Sequence, residues 1–167
     1  MADQASQASE LTKLPFTAFN FQVEIDVPGM KLDKLYGASF SECDGLEMTM
    51  DVKTIREGGN NNEQIRLLGP LNYGQITLRR GMTDNFDLWD WFNRLVQAPS
   101  KDIREDLRGN ATIVLYAENR VTERARFALS RCLPVKLKAP GLNAKDGIVA
   151  IEEMQLVYES MTMEKTK

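Results

Sequence analysis

The sequence predicts a mainly β fold, a β-barrel or sandwich of about seven antiparallel strands with one flanking α-helix. Short segments in which apolar and polar residues alternate recur along the chain, separated by turn residues. Alternation of this kind is typical of half-buried strands, and only one segment has apolar residues at helical spacing. Because helices do not alternate with strands, the sheet is expected to be antiparallel.

Three strands are predicted in the first third of the chain. Residues 19–27 (FNFQVEIDV) alternate without interruption and end at a Pro-Gly turn. Residues 36–43 (YGASFSEC) form the second candidate, followed by an Asp-Gly dipeptide typical of hairpins. Residues 46–55 (LEMTMDVKTI) form the third, and its alternation slips at the end, which indicates a bulge or bend. In this strand the residues expected to face the core are Leu46, Met48, Met50 and Val52.

The helix is predicted within residues 84–100 (DNFDLWDWFNRLVQAPS), where Asp84 can cap the first turn and Pro99 ends the run. Its polar side is expected to face either another protein or solvent. The residues expected on its apolar face are Leu88, Trp89, Phe92, Leu95 and Val96. The remaining predicted strands are residues 73–81, 111–119, 124–132 and 148–160.

The 167 residues suit one domain, which we place at residues 14–167 after a flexible N-terminal arm of residues 1–13. With a net charge of −3, no nucleic-acid site is expected, and no apolar run indicates membrane insertion. The N-terminus does not resemble a secretory signal, so synthesis in the cytoplasm is expected. Cys43 and Cys132 are expected to be buried free thiols, although their pairing stays open.

The residues that catalysis needs are sparse. Histidine is absent, which removes the commonest general base and metal ligand. No glycine-rich phosphate-binding loop precedes a helix. Glu152 and Glu153 are adjacent, so on a strand they point to opposite faces and cannot share a proton or a metal ion. The acidic residues of the predicted helix are interpreted as its capped, solvated side. We therefore expect no enzyme, with no catalytic residue, cofactor or metal.

Five segments, in order and at consistent spacing, resemble the tail-tube proteins of contractile phages and of phage-tail-like contractile injection systems. The resemblance extends from about residue 16 to residue 160. The segments are FTAFNFQVEID, GASFSECDGLEM, IREGGNNN, YGQITLRRGM with LWDWF, and LPVKLKAPGLNAKDGIVAIEEMQLVYES.

This resemblance implies a structural subunit of the inner tube of a contractile tail or injection particle. The fold would be similar to that of the type VI secretion tube protein. Six copies would form a ring, and rings would stack into a hollow tube that delivers cargo through a target envelope. The implied partners are further copies of the chain, a sheath protein, the baseplate and spike hub, a tube terminator and cargo in the lumen. The alternative is a tube-initiator or adaptor ring of the same fold, and a third class is a ligand-binding barrel.

A polar, turn-rich segment is the candidate contact between rings or subunits. Residues 52–57 and 75–80 are expected to be two long strands, with residues 58–71 projecting between them towards the next ring. The glycines permit sharp turns, and charges of both signs can fix the register of a contact. A mobile surface loop is the other interpretation. The candidate residues are Arg56, Glu57, Gly58, Gly59, Asn60, Asn61, Asn62, Glu63 and Arg66.

Polar side chains that alternate away from the expected core are candidates for the surface of the channel. Their charges are mixed, which indicates a lumen less uniformly acidic than one that passes DNA by repulsion. An outer surface would show the same pattern. The candidate lumen residues are Glu47, Thr49, Asp51, Lys53, Gln75, Thr77 and Arg79.

Overall fold

The computed structural model describes residues 15–30, 40–56, 58–59, 63–145 and 147–165. Strands account for most of these residues, and two short helices flank them. The strands are β1 (Phe21–Asp26), β2 (Phe40–Asp44), β3 (Met48–Ile55), β4 (Ile65–Tyr73), β5 (Ile76–Gly81), β6 (Gly109–Tyr116), β7 (Glu123–Lys138), β8 (Ile151–Val157) and β9 (Ser160–Lys165), and the helices are α1 (Asp87–Gln97) and α2 (Lys101–Asp106).

Strand β7 organises the main sheet, because its two halves pair with different neighbours. The first half pairs with β6 along one edge and with β9 along the other. The second half, Leu133–Lys138, pairs with β8. Between the halves, Arg131 has a φ of 54°, a left-handed conformation that bends the strand. We call β1-β6-β7-β9 sheet A and β7-β8-β5-β2 sheet B.

The main sheet is antiparallel throughout and does not close into a barrel. Its strand order is β1-β6-β7-β8-β5-β2, with β9 attached to β7, so β1 and β2 lie at the two ends. Each end strand has one edge without a strand partner in the described part of the chain. Such an edge presents unpaired backbone N–H and C=O groups, which can pair with another chain.

The core contains alternate residues from both sheets and one face of α1. In β5, Ile76 and Leu78 are buried while Thr77 between them is half-exposed. Helix α1 adds Leu88 and Trp91 to this core. The indole Nε1 of Trp91 donates a hydrogen bond to the carbonyl oxygen of Leu107, 2.9 Å away, so its polar atom is satisfied inside the core.

The fold class predicted from the sequence is confirmed: a mainly antiparallel β protein with helix packed on the sheet. The described residues form more elements than predicted, because β4, β9 and α2 were not recognised. The predicted helix face was partly wrong, since Val96 is 64% exposed and Trp91 is fully buried. The inward face of α1 consists of Leu88, Trp91 and Leu95, which are three and four residues apart. The proposed arm, residues 1–13, lies outside the described residues.

The connection predicted at residues 58–71 was partly wrong, because strand β4 occupies residues 65–73. Strand β3 pairs with β4 in a separate two-stranded sheet, whereas β5 lies in the main sheet between β2 and β8. Residues 65–71 belong to the predicted connection because they contain the turn-forming dipeptide Gly69-Pro70. These two residues lie where the β3–β4 register shifts, opposite Asp51. A bulge accepts a proline that lacks an N–H donor, so the strand continues through it.

Candidate assembly surface

Strands β3 and β4 form a hairpin that extends from the end of sheet B. All eight residues of β3 are exposed, and seven of the nine residues of β4 are exposed as well. The prediction that Met48, Met50 and Val52 face the core was therefore wrong, because in the described chain nothing covers that side of the strand. An isolated two-stranded hairpin is only marginally stable in water.

One side of the hairpin is an apolar surface. Cross-strand pairing places Met50 opposite Leu71 and Val52 opposite Leu68. Leu68 is 77% exposed, which is unusual for a leucine in a regular strand. Arg66 lies at the outer end of this side, opposite Thr54. We call the following set the hairpin apolar face: Met48, Met50, Val52, Leu68 and Leu71.

The other side of the hairpin is polar near its base and apolar towards its tip. The side-chain amide of Asn72 donates a hydrogen bond to the carboxylate of Asp51 over 3.2 Å. Further out, Ile55 pairs with Ile65, and these residues are 40% and 43% exposed. Leu67 beside them is 47% exposed. Both sides of the hairpin therefore leave large apolar side chains in water.

The base of the hairpin is fixed to the main sheet. The Gly74 amide donates a hydrogen bond to the carbonyl oxygen of Glu47, and the Tyr158 hydroxyl donates to the same oxygen, over 3.2 Å in both cases. Gly45 has a φ of 91°, and a Cβ at this position would lie 2.1 Å from the carbonyl oxygen of Gln75. Only glycine fits there, so the chain can approach this closely where it enters the hairpin.

The described members of the predicted contact set lie at or near the tip of the hairpin. Gly59 has a φ of 97°, which confirms that glycine permits the turn there. Arg66 is in β4 and not in a connection. Arg56, Gly58 and Glu63 flank the strands. The residues of this set that fall outside the described chain are Glu57, Asn60, Asn61 and Asn62.

The predicted lumen residues fall on two different surfaces. The structure places Thr77 and Arg79 on the polar face of sheet B, with Gln75 immediately before β5. The remaining four belong to the hairpin and its base: Glu47, Thr49, Asp51 and Lys53. The two groups share no strand pairing, because β3 pairs with β4 and not with β5.

Arg79 is the centre of an ion-pair network across sheet B. Its guanidinium lies 2.8 Å from a carboxylate oxygen of Glu42 and 2.9 Å from one of Glu153. The ammonium of Lys136 lies 3.2 Å from the other oxygen of Glu153. The hydrogen bond from Arg79 lowers the pKa of the Glu153 carboxyl most, and the hydrogen bond from Lys136 lowers it further. The polar face of sheet B thus has charges of both signs that are paired within the chain.

A second ion pair, between Arg80 and Glu152, lies inside the protein and was missed from the sequence. The carboxylate of Glu152 also accepts a hydrogen bond from the Trp89 indole over 2.8 Å. Arg80 donates to the carbonyl oxygen of Asn85, just before α1, over 2.9 Å. This network joins the start of α1 to β5 and β8. As predicted, Glu152 and Glu153 point to opposite faces.

The described residues give little support for chemistry. None of their histidine, cysteine, aspartate or glutamate side chains gather in groups of three or more that could hold a metal ion. Cys43 and Cys132 are free, and burial raises the pKa of both thiols to about 11, which keeps them protonated at neutral pH. No helix within the described ranges is long and apolar enough to span a membrane.

Comparison with known proteins shows similarity to a tail tube family and to chains of contractile injection systems. The model of the family of T4-like virus tail tube protein gp19 matches residues 17–162. A chain in the cryo-EM structure of the anti-feeding prophage (AFP) baseplate is similar with a TM-score of 0.79 and 26% identity, over 92% of this chain and 98% of its own.

Two further solved structures share the fold. A chain of the PVC extracellular contractile injection system, in its extended sheath-tube complex, has a TM-score of 0.75 and 20% identity, over 95% of this chain and 97% of its own. Hcp1 from Flavobacterium johnsoniae has a TM-score of 0.52 and 9% identity, and the match covers 89% of this chain and 97% of Hcp1. A search of curated proteins found no match to the chain.

Proposed function

Because the chain belongs to the family of T4-like virus tail tube protein gp19, we propose that it is a structural subunit of the inner tube of a contractile tail or injection particle. Six copies form a ring, and the rings stack into a hollow tube that delivers cargo through a target envelope. The subunit is made in the bacterial cytoplasm and works without catalysis. Its other partners are a sheath protein, the baseplate and spike hub and a tube terminator.

The exposed hairpin is the observation that carries this proposal. A strand pair with large apolar side chains on both sides gains little from extending into water. Each such side chain contributes about 1.5–3 kcal/mol when it is fully buried. Since the hairpin is fixed at its base, less of its conformational freedom has to be lost when it enters a contact with another copy. Repeated contacts of this kind, between unlike surfaces, produce a filament.

The tip of the hairpin supplies the polar part of the same contact. Arg56, Glu63 and Arg66 are charges of both signs on the outer part of the hairpin. Polar groups at the rim of an apolar contact fix its register more than they increase its affinity. We assign this role to the residues predicted from the sequence, including those of the tip that lie outside the described chain.

The polar face of sheet B is the proposed lining of the channel. Gln75, Thr77 and Arg79 belong to this face, and the polar side of the hairpin continues it towards the next ring with Glu47, Thr49, Asp51 and Lys53. Edge pairing between β1 or β2 and a neighbouring copy would continue the sheet around the ring. Since Arg79 is paired with acidic neighbours, this lining has mixed charge.

A tube-initiator or adaptor ring is the second candidate. It is favoured by the similarity to a chain of the AFP baseplate structure, at 26% identity and a TM-score of 0.79. An initiator would form a single ring on the baseplate hub and would not polymerise alone. The contacts within its ring would be the same, but its stacking contact would need a different partner.

Negative-stain electron microscopy of the purified protein tests the proposal. The main tube protein is expected to form long tubes or stacks of rings, whereas an initiator would form single rings. A monomer that persists at high concentration, with baseplate components present, would contradict both candidates. Leu68→Asp should abolish tubes because it places a charge on the hairpin apolar face. Val121→Asp is the matched control, since Val121 is 79% exposed in the turn between β6 and β7.

A further inference from the structure

A second exposed apolar surface lies at the opposite end of sheet B from the hairpin. It is a groove of about 470 Å³ between the start of α1 and the segment after β7. Leu142 on its wall is 90% exposed and Phe86 is 52% exposed. The residues lining the groove are Met82, Phe86, Trp89, Ala139, Pro140 and Leu142.

The exposed apolar area continues beyond the groove. Met82 donates its backbone N–H to the carbonyl oxygen of Ala150 over 2.8 Å, which places the segment before β8 beside the groove. In that segment Ile148 and Val149 are 72% and 71% exposed. A continuous apolar surface of this kind on a soluble protein marks a contact with another molecule.

Strand β5 fixes the relative positions of hairpin and groove. The chain leaves the hairpin at Tyr73 and enters β5 at Ile76, whereas Met82 of the groove directly follows the last residue of β5. Strand β2 ends opposite the start of β5, so β3 leaves the sheet at the same end as β4 returns to it. The six residues of β5 separate the two surfaces by about 17 Å along the sheet.

We propose that the groove receives the hairpin apolar face of a second copy of this chain. This inference rests on the proposed function and names the surface that its stacking contact uses. Two complementary surfaces at opposite ends of one sheet make a head-to-tail contact, which repeats without closing. Every copy then buries its own hairpin in one neighbour and covers its groove with the hairpin of another.

The charges around the two surfaces are complementary. Arg66 is next to the hairpin apolar face, on the same side of β4 as Leu68. In the sequence, Asp84 and Asp87 stand on either side of Phe86, which lines the groove at the start of α1. Opposite charges at the rim of an apolar contact select one register and oppose misaligned docking.

Cross-linking of assembled protein tests the contact directly. The double variant Leu68→Cys/Leu142→Cys, treated at neutral pH with a short bifunctional maleimide, is expected to give a ladder of covalent oligomers. Each copy has one reactive thiol at each end, so links propagate along the stack. Cys43 is replaced by alanine in all of these variants because it is only half-buried, whereas Cys132 is buried and stays unreacted. Each single variant is the control and can give dimers at most.

The outcomes separate this inference from the proposed function. Particles that assemble under the microscope but give no ladder would overturn the groove assignment and leave the tube role intact. Wild-type protein that stays monomeric at every concentration would overturn both. A ladder in the double variant, absent from both single variants, would support both.

A charge in the groove provides an independent test. Leu142→Asp is expected to raise the concentration needed for assembly about tenfold or more. It should leave the midpoint of thermal unfolding unchanged, because Leu142 is 90% exposed. The matched control, Val121→Asp, adds the same charge away from the groove and should assemble as wild type does. If Leu142→Asp also assembles at the wild-type concentration, the hairpin docks elsewhere.

Discussion

Strands β5 and β3 have similar alternating sequences but opposite surroundings. In β5, Ile76 and Leu78 are completely buried, because core residues, including Leu88 and Trp91 of α1, pack over that face. In β3, Met50 and Val52 remain 45% and 55% exposed, because no described part of the chain packs over that side of the hairpin. The main sheet completes its core within one chain, whereas the hairpin lacks the surface that would cover it. A strand pattern therefore shows which residues share a face, and only the assembly decides what covers them.

The largest difference is expected between truncations in the two regions. Trp91→Ala removes a fully buried indole and should reduce the free energy of unfolding by about 3–5 kcal/mol. Leu68→Ala removes an exposed side chain and should change it by no more than about 0.5 kcal/mol in the dispersed protein, although it weakens assembly. Chemical denaturation at low protein concentration measures both. Equal losses would show that the hairpin is already covered within the monomer.

The second prediction concerns the buried ion pair between Arg80 and Glu152 in the main sheet. Glu152→Leu leaves Arg80 buried without its carboxylate and should cost about 3 kcal/mol, the lower part of the usual range, because Arg80 keeps its bond to the Asn85 carbonyl. The double variant Arg80→Met/Glu152→Leu should recover most of this loss. The same denaturation experiment on the wild type, Glu152→Leu, Arg80→Met and the double variant forms a double-mutant cycle. No recovery in the double variant would mean that Trp89 and its bond to Glu152 determine the cost.

The smallest effect is expected from pH. Hydrogen bonds from Arg79 and Lys136 hold the pKa of Glu153 below its ordinary value of 4.5. A carboxyl whose pKa is lower in the folded state contributes stability above its ordinary pKa, and this contribution disappears as the pH falls through the lowered value. The thermal midpoint should therefore decrease as the pH drops below about 4.5. Arg79→Met should make this decrease shallower, and an unchanged slope would exclude the Arg79–Glu153 pair as its source.

The local pattern was sufficient for α1 and for every strand of the main sheet except β9. It was insufficient for β4, because Gly69-Pro70 reads as a turn unless the bulge opposite Asp51 is known. It was also insufficient for the side of α1 that packs inward, where Trp89 binds Glu152 and Trp91 enters the core. That choice depends on a strand more than 60 residues later in the chain.

From the sequence, the tip of the hairpin could be proposed as a contact, but the apolar face of the hairpin and the groove could not. The tip residues were predicted to form a projecting contact, and the structure places the described ones at the hairpin tip or just beside it. The apolar face behind them was assigned to the core, because alternation cannot distinguish a covered face from an uncovered one. The groove has no sequence signature, since Met82 and Leu142 come together only in the folded chain. The adjacent pairs Arg79-Arg80 and Glu152-Glu153 were a visible signal of two ion pairs, which becomes interpretable once the β5–β8 register is known.

Hydrogen–deuterium exchange, measured on the dispersed and the assembled protein, tests most directly whether another copy covers the hairpin. In the dispersed protein the backbone amides of β3 and β4 should exchange much faster than those of β5 and β8, because a lone hairpin opens readily. On assembly, the hairpin amides should become as protected as those of the main sheet. Fast exchange of β3 and β4 that persists in intact tubes would contradict the account.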